Sequence, residues 1–132
     1  MQFFISNFKW IMLISGLLTC TMLMALISPQ ASIQSNFGQT IESNLSEIIV
    51  RNWGALIGLM GIMLIYGAFT ESVRRFVLII AGSSKVIFIL LILFSTENFM
   101  EFGVGKAVIA DSIMVALYIA FLLFSGQRKI TY

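Results

Sequence analysis

The chain has 132 residues, of which 59% are hydrophobic and only 11% are charged, and its mean hydropathy is +1.00. Because soluble domains carry about 25% charged residues and disordered chains are hydrophilic, this composition excludes both classes. The chain has no histidine, one cysteine (Cys20) and a net charge of +2. These counts argue against histidine-based catalysis, ordinary zinc sites, an internal disulfide and a nucleic-acid partner.

Four long apolar runs cover residues 8–28, 48–69, 76–94 and 104–124. Each is close to the roughly 20 residues that an α-helix needs to cross a bilayer. A lone strand would leave its backbone groups unpaired in lipid, so each run is expected to be helical. The sequence therefore predicts an all-α polytopic membrane protein. Residues 1–132 would form a single membrane domain, an antiparallel bundle of four transmembrane helices.

The only sizeable loop covers residues 30–47 and follows Pro29, the only proline. Its apolar side chains recur at every fourth position, at Ile33, Phe37, Ile41 and Leu45. This spacing indicates an amphipathic helix, which Gly38 interrupts. Such a helix would cap the ends of the spans, lie flat on the membrane surface or bind a partner.

The basic residues at the ends of the spans predict the orientation of the chain. Five of them fall on one side: Lys9, Arg74, Arg75, Arg128 and Lys129. Four glutamates fall on the other side: Glu42, Glu47, Glu97 and Glu101. Because cytoplasmic loops are enriched in Lys and Arg, we expect both termini and the 70–75 turn to lie in the cytoplasm.

Two charged residues lie deep inside the predicted spans. Lys85 is about 13 Å into the third run and Asp111 is about 10 Å into the fourth, at 1.5 Å per residue. The short connection between these runs makes them antiparallel neighbours, so we predict a Lys85–Asp111 ion pair or a shared polar site. Ser83, Ser84 and Ser112 offer hydroxyl groups beside it. The pair would either fix helix register or form a site for a ligand or an ion.

Arg51 and Lys106 lie near the outer ends of the second and fourth runs. Long basic side chains at such depths extend to the lipid headgroups. Arg51 could instead pair with Glu47 or with Asp111. A further alternative is one polar cluster of Arg51, Lys106 and Asp111, which would suit an anionic ligand or a lipid headgroup.

The second run carries three glycines on one side, Gly54, Gly58 and Gly61. Small residues at this spacing let two helix backbones approach closely. This glycine face would either close the bundle internally or join two subunits. The small residues of the fourth run that could meet it are Ala107, Ala116 and Ala120.

Several short motifs follow one another in an order that resembles a known group. They are Phe37-Gly38, Arg51-Asn52-Trp53-Gly54, Leu64-Ile65-Tyr66-Gly67-Ala68-Phe69, Arg74-Arg75, Ser84-Lys85 and Ala110-Asp111. The layout resembles the DoxX-like group of four-helix inner-membrane proteins over most of the chain. The resemblance implies a four-helix bundle in a bacterial inner membrane, with an accessory role beside membrane redox enzymes.

Three classes of function remain open. The first is a non-enzymatic accessory or scaffold subunit, either in a larger membrane complex or as a homo-oligomer. The second is a small transporter or channel that uses Lys85 and Asp111. The third is a lipid- or quinone-handling membrane protein, including an enzyme, although no nucleophile–base pair is visible. The lipid bilayer is the expected partner, and we expect no cofactor, no metal and no catalytic residues.

Overall fold

The computed structural model describes residues 4, 6–95, 99–101 and 103–127, and its secondary structure there is helical without strands. Within this described part of the chain, four helices are long and apolar enough to cross a membrane: Phe8–Ile27, Asn44–Phe69, Glu71–Leu93 and Gly103–Ser125. We call these helices the first to fourth spans. The fourth helix continues to Gln127. The predicted all-α, four-helix membrane architecture is confirmed.

The first span changes its helical geometry before it ends. It is α-helical over Phe8–Cys20, forms a 3₁₀ turn over Thr21–Leu23 and is α-helical again over Met24–Ile27. Ser28 then leaves the helical region, with φ −131° and ψ 73°. The ring of a proline disfavours helical backbone at the residue before it, and Ser28 precedes Pro29. The sequence break at Pro29 is therefore a break in the helix.

A short helix over Pro29–Phe37, here called the cap helix, follows the first span. Proline suits the first helical position, and Gly38 ends the helix in the left-handed conformation, with φ 68°. The amphipathic pattern expected over residues 30–47 therefore divides at Gly38. Its second part joins the second span, which begins at Asn44 because the Ser43 hydroxyl accepts a hydrogen bond from the backbone of Ser46.

A single residue, Thr70, separates the second span from the third. Arg74 and Arg75 are therefore inside the third helix, rather than in a turn over residues 70–75. The buried Arg74 donates hydrogen bonds to the carbonyls of Gly67 and Ala68, at 3.1 and 2.7 Å. The last carbonyls of a helix lack helical partners and carry partial negative charge, so a guanidinium is favourable there.

Arg75 binds the end of the fourth span in the same way. It donates hydrogen bonds to the carbonyl of Leu122 at 3.1 Å and to the hydroxyl of Ser125 at 2.6 Å. With Lys9, the two arginines place positive charge at one end of the bundle. Arg128, Lys129 and Glu97, which also entered the orientation prediction, lie outside the described residues.

The glycine face of the second span packs against the first span. A Cβ on Gly61 would lie 2.7 Å from the carbonyl oxygen of Gly16 and 2.7 Å from the sulfur of Cys20. A Cβ on Gly54 would lie 2.6 Å from that of Ala25. A Cβ on Gly58 would overlap the side chain of Leu23. The face therefore closes the bundle internally, and its neighbour is not the alanine series of the fourth span.

The bundle has two ends that are packed differently. We call the end where the first span begins the terminal end, and the end that carries the cap helix the loop end. At the terminal end, fully buried apolar side chains include Phe8, Met12, Leu64 and Leu78. The ring of Phe8 stacks on that of Phe121, with a centroid distance of 4.2 Å. This half has a continuous aromatic and aliphatic core.

Candidate functional site: a polar pocket inside the bundle

Lys85 and Asp111 form an ion pair between the third and fourth spans. The distance from Lys85 Nζ to Asp111 Oδ1 is 2.8 Å, and the two side chains are 9% and 18% exposed. Lys85 Nζ also donates to the hydroxyl of Thr19 on the first span, at 3.3 Å. The Thr19 hydroxyl in turn donates to the carbonyl of Ser15, at 2.7 Å. Three of the four spans therefore meet at the lysine.

Thr19 is the lysine partner that the sequence analysis missed. The serines expected to fill this role make no hydrogen bond to Lys85 among the described contacts. Ser83 and Ser112 are exposed, and Ser112 donates to the carbonyl of Val108 at 2.7 Å. A threonine within a span commonly satisfies its own hydroxyl by bonding the carbonyl four residues earlier, so its type alone does not reveal an interhelical role.

A cavity of about 280 Å³ lies beside the ion pair. All four spans and the cap helix contribute to its lining. Its polar groups near the pair come from Thr19, Ser84, Lys85 and Asp111, and most of the remaining wall is apolar. Toward the loop end it reaches Asn36, Trp53 and Lys106. We call this cavity the bundle pocket.

The bundle pocket offers hydrogen-bonding capacity that the described residues do not use. Lys85 Nζ carries three donors, and Asp111 Oδ1 and Thr19 Oγ1 take two of them. The second carboxylate oxygen of Asp111 and the hydroxyl of Ser84 make no hydrogen bond within the described part of the chain. A donor, an acceptor and a hydroxyl are therefore available to a molecule in the pocket.

The structure separates the other two charged residues of the predicted site. Lys106 is exposed and lines the bundle pocket together with Asp111. Arg51 lies outside that pocket. Its guanidinium bonds Glu47 Oε1 at 2.9 and 3.1 Å and the carbonyl of Leu26 at 2.6 Å. Of the alternatives for Arg51, the Glu47 pair is the one observed, and the three-residue cluster does not form.

Tyr118 adds a second polar group that sequence reasoning missed. Its side chain is 1% exposed, and its hydroxyl has no hydrogen-bond partner among the described residues. Tyr118 follows Asp111 by seven residues, which places both on one face of the helix, and that spacing could have identified it. The polar region thus continues from the ion pair toward the terminal end.

Fold and composition define the class of this protein as a small multi-pass integral membrane protein. Comparisons with protein-family models, with curated proteins and with solved structures gave no match. The bundle pocket is therefore the feature of the protein that bears on its function.

Proposed function

We propose that this protein is a non-enzymatic membrane protein that binds a small, largely apolar molecule in the bundle pocket. The observation that carries the proposal is the cavity of about 280 Å³ beside the Lys85–Asp111 pair, lined by all four spans. Ligand sites in proteins are typically concave and mostly apolar, with a few polar groups that fix the orientation of the ligand. The bundle pocket has this composition.

A purely structural role for the ion pair is less well supported by this arrangement. A pair that only fixes helix register needs contact between its two partners, but it does not need a cavity at its side. The sequence left the glycine face open to internal packing or to subunit assembly, and in the structure this face packs between the first and second spans. Both observations favour ligand binding over a scaffold role.

The orientation of the bundle and its membrane are part of the same proposal. We propose that the terminal end faces the cytoplasm of a bacterium, because Lys9, Arg74 and Arg75 lie there and cytoplasmic ends are enriched in basic residues. An accessory role in a larger membrane complex, as the DoxX-like layout implies, is compatible with a bundle that holds a ligand for a partner.

Transport is the second candidate function. The bundle pocket extends from the ion pair toward the loop end, whereas the aromatic core fills the terminal end. Access to a central site from one end at a time is what alternating access requires. Uptake of the bound molecule into proteoliposomes would distinguish a transporter from a binding protein, which would retain the molecule without moving it.

Native mass spectrometry of the detergent-purified protein tests the proposal directly. We expect the wild-type chain to retain a co-purified small molecule. Ala110→Phe places a ring in the bundle pocket and should abolish this retention, because Ala110 lines the cavity. Ala116→Phe makes the same change at an exposed position of the same span and serves as the control. The proposal fails if the wild-type protein carries no ligand, or if Ala110→Phe retains it as well as Ala116→Phe does.

A further inference from the structure

We infer that the ligand of the bundle pocket is an uncharged amphiphile whose polar head both donates and accepts a hydrogen bond, as a long-chain amide or alcohol does. This inference rests on the proposed function and adds the chemical class of the ligand. It follows from the unused hydrogen-bonding groups beside the ion pair and from the charge balance there.

The unused groups define what the head of the ligand must do. Lys85 has a spare N–H donor, and the second carboxylate oxygen of Asp111 is a spare acceptor. Because Nζ and Oδ1 are only 2.8 Å apart, donor and acceptor lie side by side. An amide or a hydroxyl can satisfy both and leave the ion pair intact. Ser84 adds a hydroxyl at the same depth of the pocket.

The charge balance excludes an ionic head at this depth. The lysine and the aspartate cancel, so the deep part of the bundle pocket has no net charge to compensate an ion. A cation drawn to Asp111 is repelled by Lys85, and an anion drawn to Lys85 is repelled by Asp111. Either ion would also lose its hydration, which is costly away from water. A neutral head avoids both penalties.

Lys106 does not alter this balance, because it lies five residues, about 7.5 Å, from Asp111 along the fourth span, and its long side chain can carry its charge to the headgroups at the loop end. Between Lys106 and the ion pair the wall is mainly apolar, with Met22, Ile57 and Phe88 among its residues. The fourth span lines the pocket from Val104 at the loop end to Asp111 at the head position, a rise of about 10 Å, and a longer tail would extend past Val104. An aliphatic tail therefore fits between the deep head and the loop end.

The chain supplies its own reporter for a binding experiment. It has two tryptophans: Trp53 lines the bundle pocket, and Trp10 is exposed at the terminal end. In a Trp10→Phe background, the fluorescence of Trp53 reports on the pocket alone. Three probes with the same chain length but different heads are dodecanamide, dodecylamine and dodecanoate. At about pH 8 the first is neutral, the second a cation and the third an anion.

We expect dodecanamide to shift the Trp53 emission saturably, and the two ionic probes to bind about tenfold more weakly or worse. Asp111→Asn leaves the lysine charge uncompensated and should reverse the preference toward dodecanoate. Lys85→Met leaves the carboxylate uncompensated and should reverse it toward dodecylamine. If these variants do not fold, Ser84→Ala still tests the head contact. It should weaken dodecanamide binding severalfold, whereas the exposed control Ser112→Ala should not.

The outcomes separate this inference from the proposed function. Equal binding of the three probes, or tightest binding of an ionic probe to the wild-type pocket, overturns the ligand class but leaves a ligand-binding bundle in place. An unchanged Trp53 emission with every probe also overturns the ligand class. Only the absence of a co-purified molecule in native mass spectrometry, or its retention by Ala110→Phe, overturns ligand binding itself.

Discussion

The two halves of the bundle are built from the same four helices but are packed differently. At the terminal end, Phe8, Leu78 and Tyr118 are almost completely buried, and Phe8 stacks on Phe121. At the loop end, the spans leave a cavity of about 280 Å³ that reaches the Lys85–Asp111 pair. Tight packing in one half can hold the helices together while the other half keeps space for a ligand. Along the helix axes, the terminal half therefore provides most of the stability, and the loop half provides the proposed binding site.

The largest expected loss of stability is that of a core variant in the terminal half. It tests whether this half provides most of the stability of the bundle. Phe8→Ala should lower the free energy of unfolding by about 3 kcal/mol, because it leaves a cavity in a filled core. Phe88→Ala removes the same ring from the wall of the bundle pocket, where the side chain is half-buried beside existing space. Phe88→Ala should therefore lower the free energy of unfolding clearly less than Phe8→Ala does. Reversible unfolding in mixed micelles measures both losses. Equal losses would contradict the view that the terminal half holds more of the stability.

The next effect concerns the ion pair between the two halves. Lys85→Met should lower the free energy of unfolding by about 2 kcal/mol, because it leaves the Asp111 carboxylate without its charged partner. Adding Asp111→Asn removes that carboxylate and should restore part of the loss. The same unfolding assay applies. A double variant that is less stable than the single one would mean that the pair itself, rather than the stranded charge, sets the cost.

The smallest expected loss of stability is that of a glycine variant in the loop half. It tests whether this half is loosely packed everywhere or only around the bundle pocket. Gly54→Ala should lower the free energy of unfolding by about 1 kcal/mol, because the new Cβ would lie 2.8 Å from the carbonyl oxygen of Met22. Gly82→Ala is the matched control, since its Cβ would meet only a ring atom of Tyr118, at 3.6 Å. Equal stability of the two variants would show that the first and second spans can move apart.

The sequence was sufficient to predict the elements of this fold that depend on hydropathy. Four apolar runs identified four spans, because the length and polarity of a transmembrane helix are fixed by the bilayer. Helix ends were less predictable, because they depend on capping. Arg74 and Arg75 were assigned to a turn, yet their side chains bind the carbonyls of neighbouring helices from positions inside the third span.

The candidate site was predictable only in part for a similar reason. Lys85 and Asp111 could be paired because two antiparallel neighbours bring similar depths together. Thr19 belongs to the first span and lies 66 residues before Lys85. Its contact with the lysine could not be predicted, because no local sequence pattern indicates which distant helix packs against the third span. The glycine face shows the same limit: its small residues indicated close packing, but not that the neighbour is the first span. A ligand site at the pair was one of the predicted alternatives, but the size and lining of the bundle pocket depend on all of these placements and could not be predicted from the sequence.

The contact between Arg74 and the end of the second span also bears on how the protein enters the membrane. The guanidinium binds carbonyls only six and seven residues earlier in the chain, at Ala68 and Gly67. So short a loop closes at little entropic cost and needs no other span. The cap needs only residues 67–74, so it can form as soon as this segment has emerged from the ribosome. The second and third spans can therefore leave the insertion machinery as one helical hairpin, with the polar ends at its bend already paired.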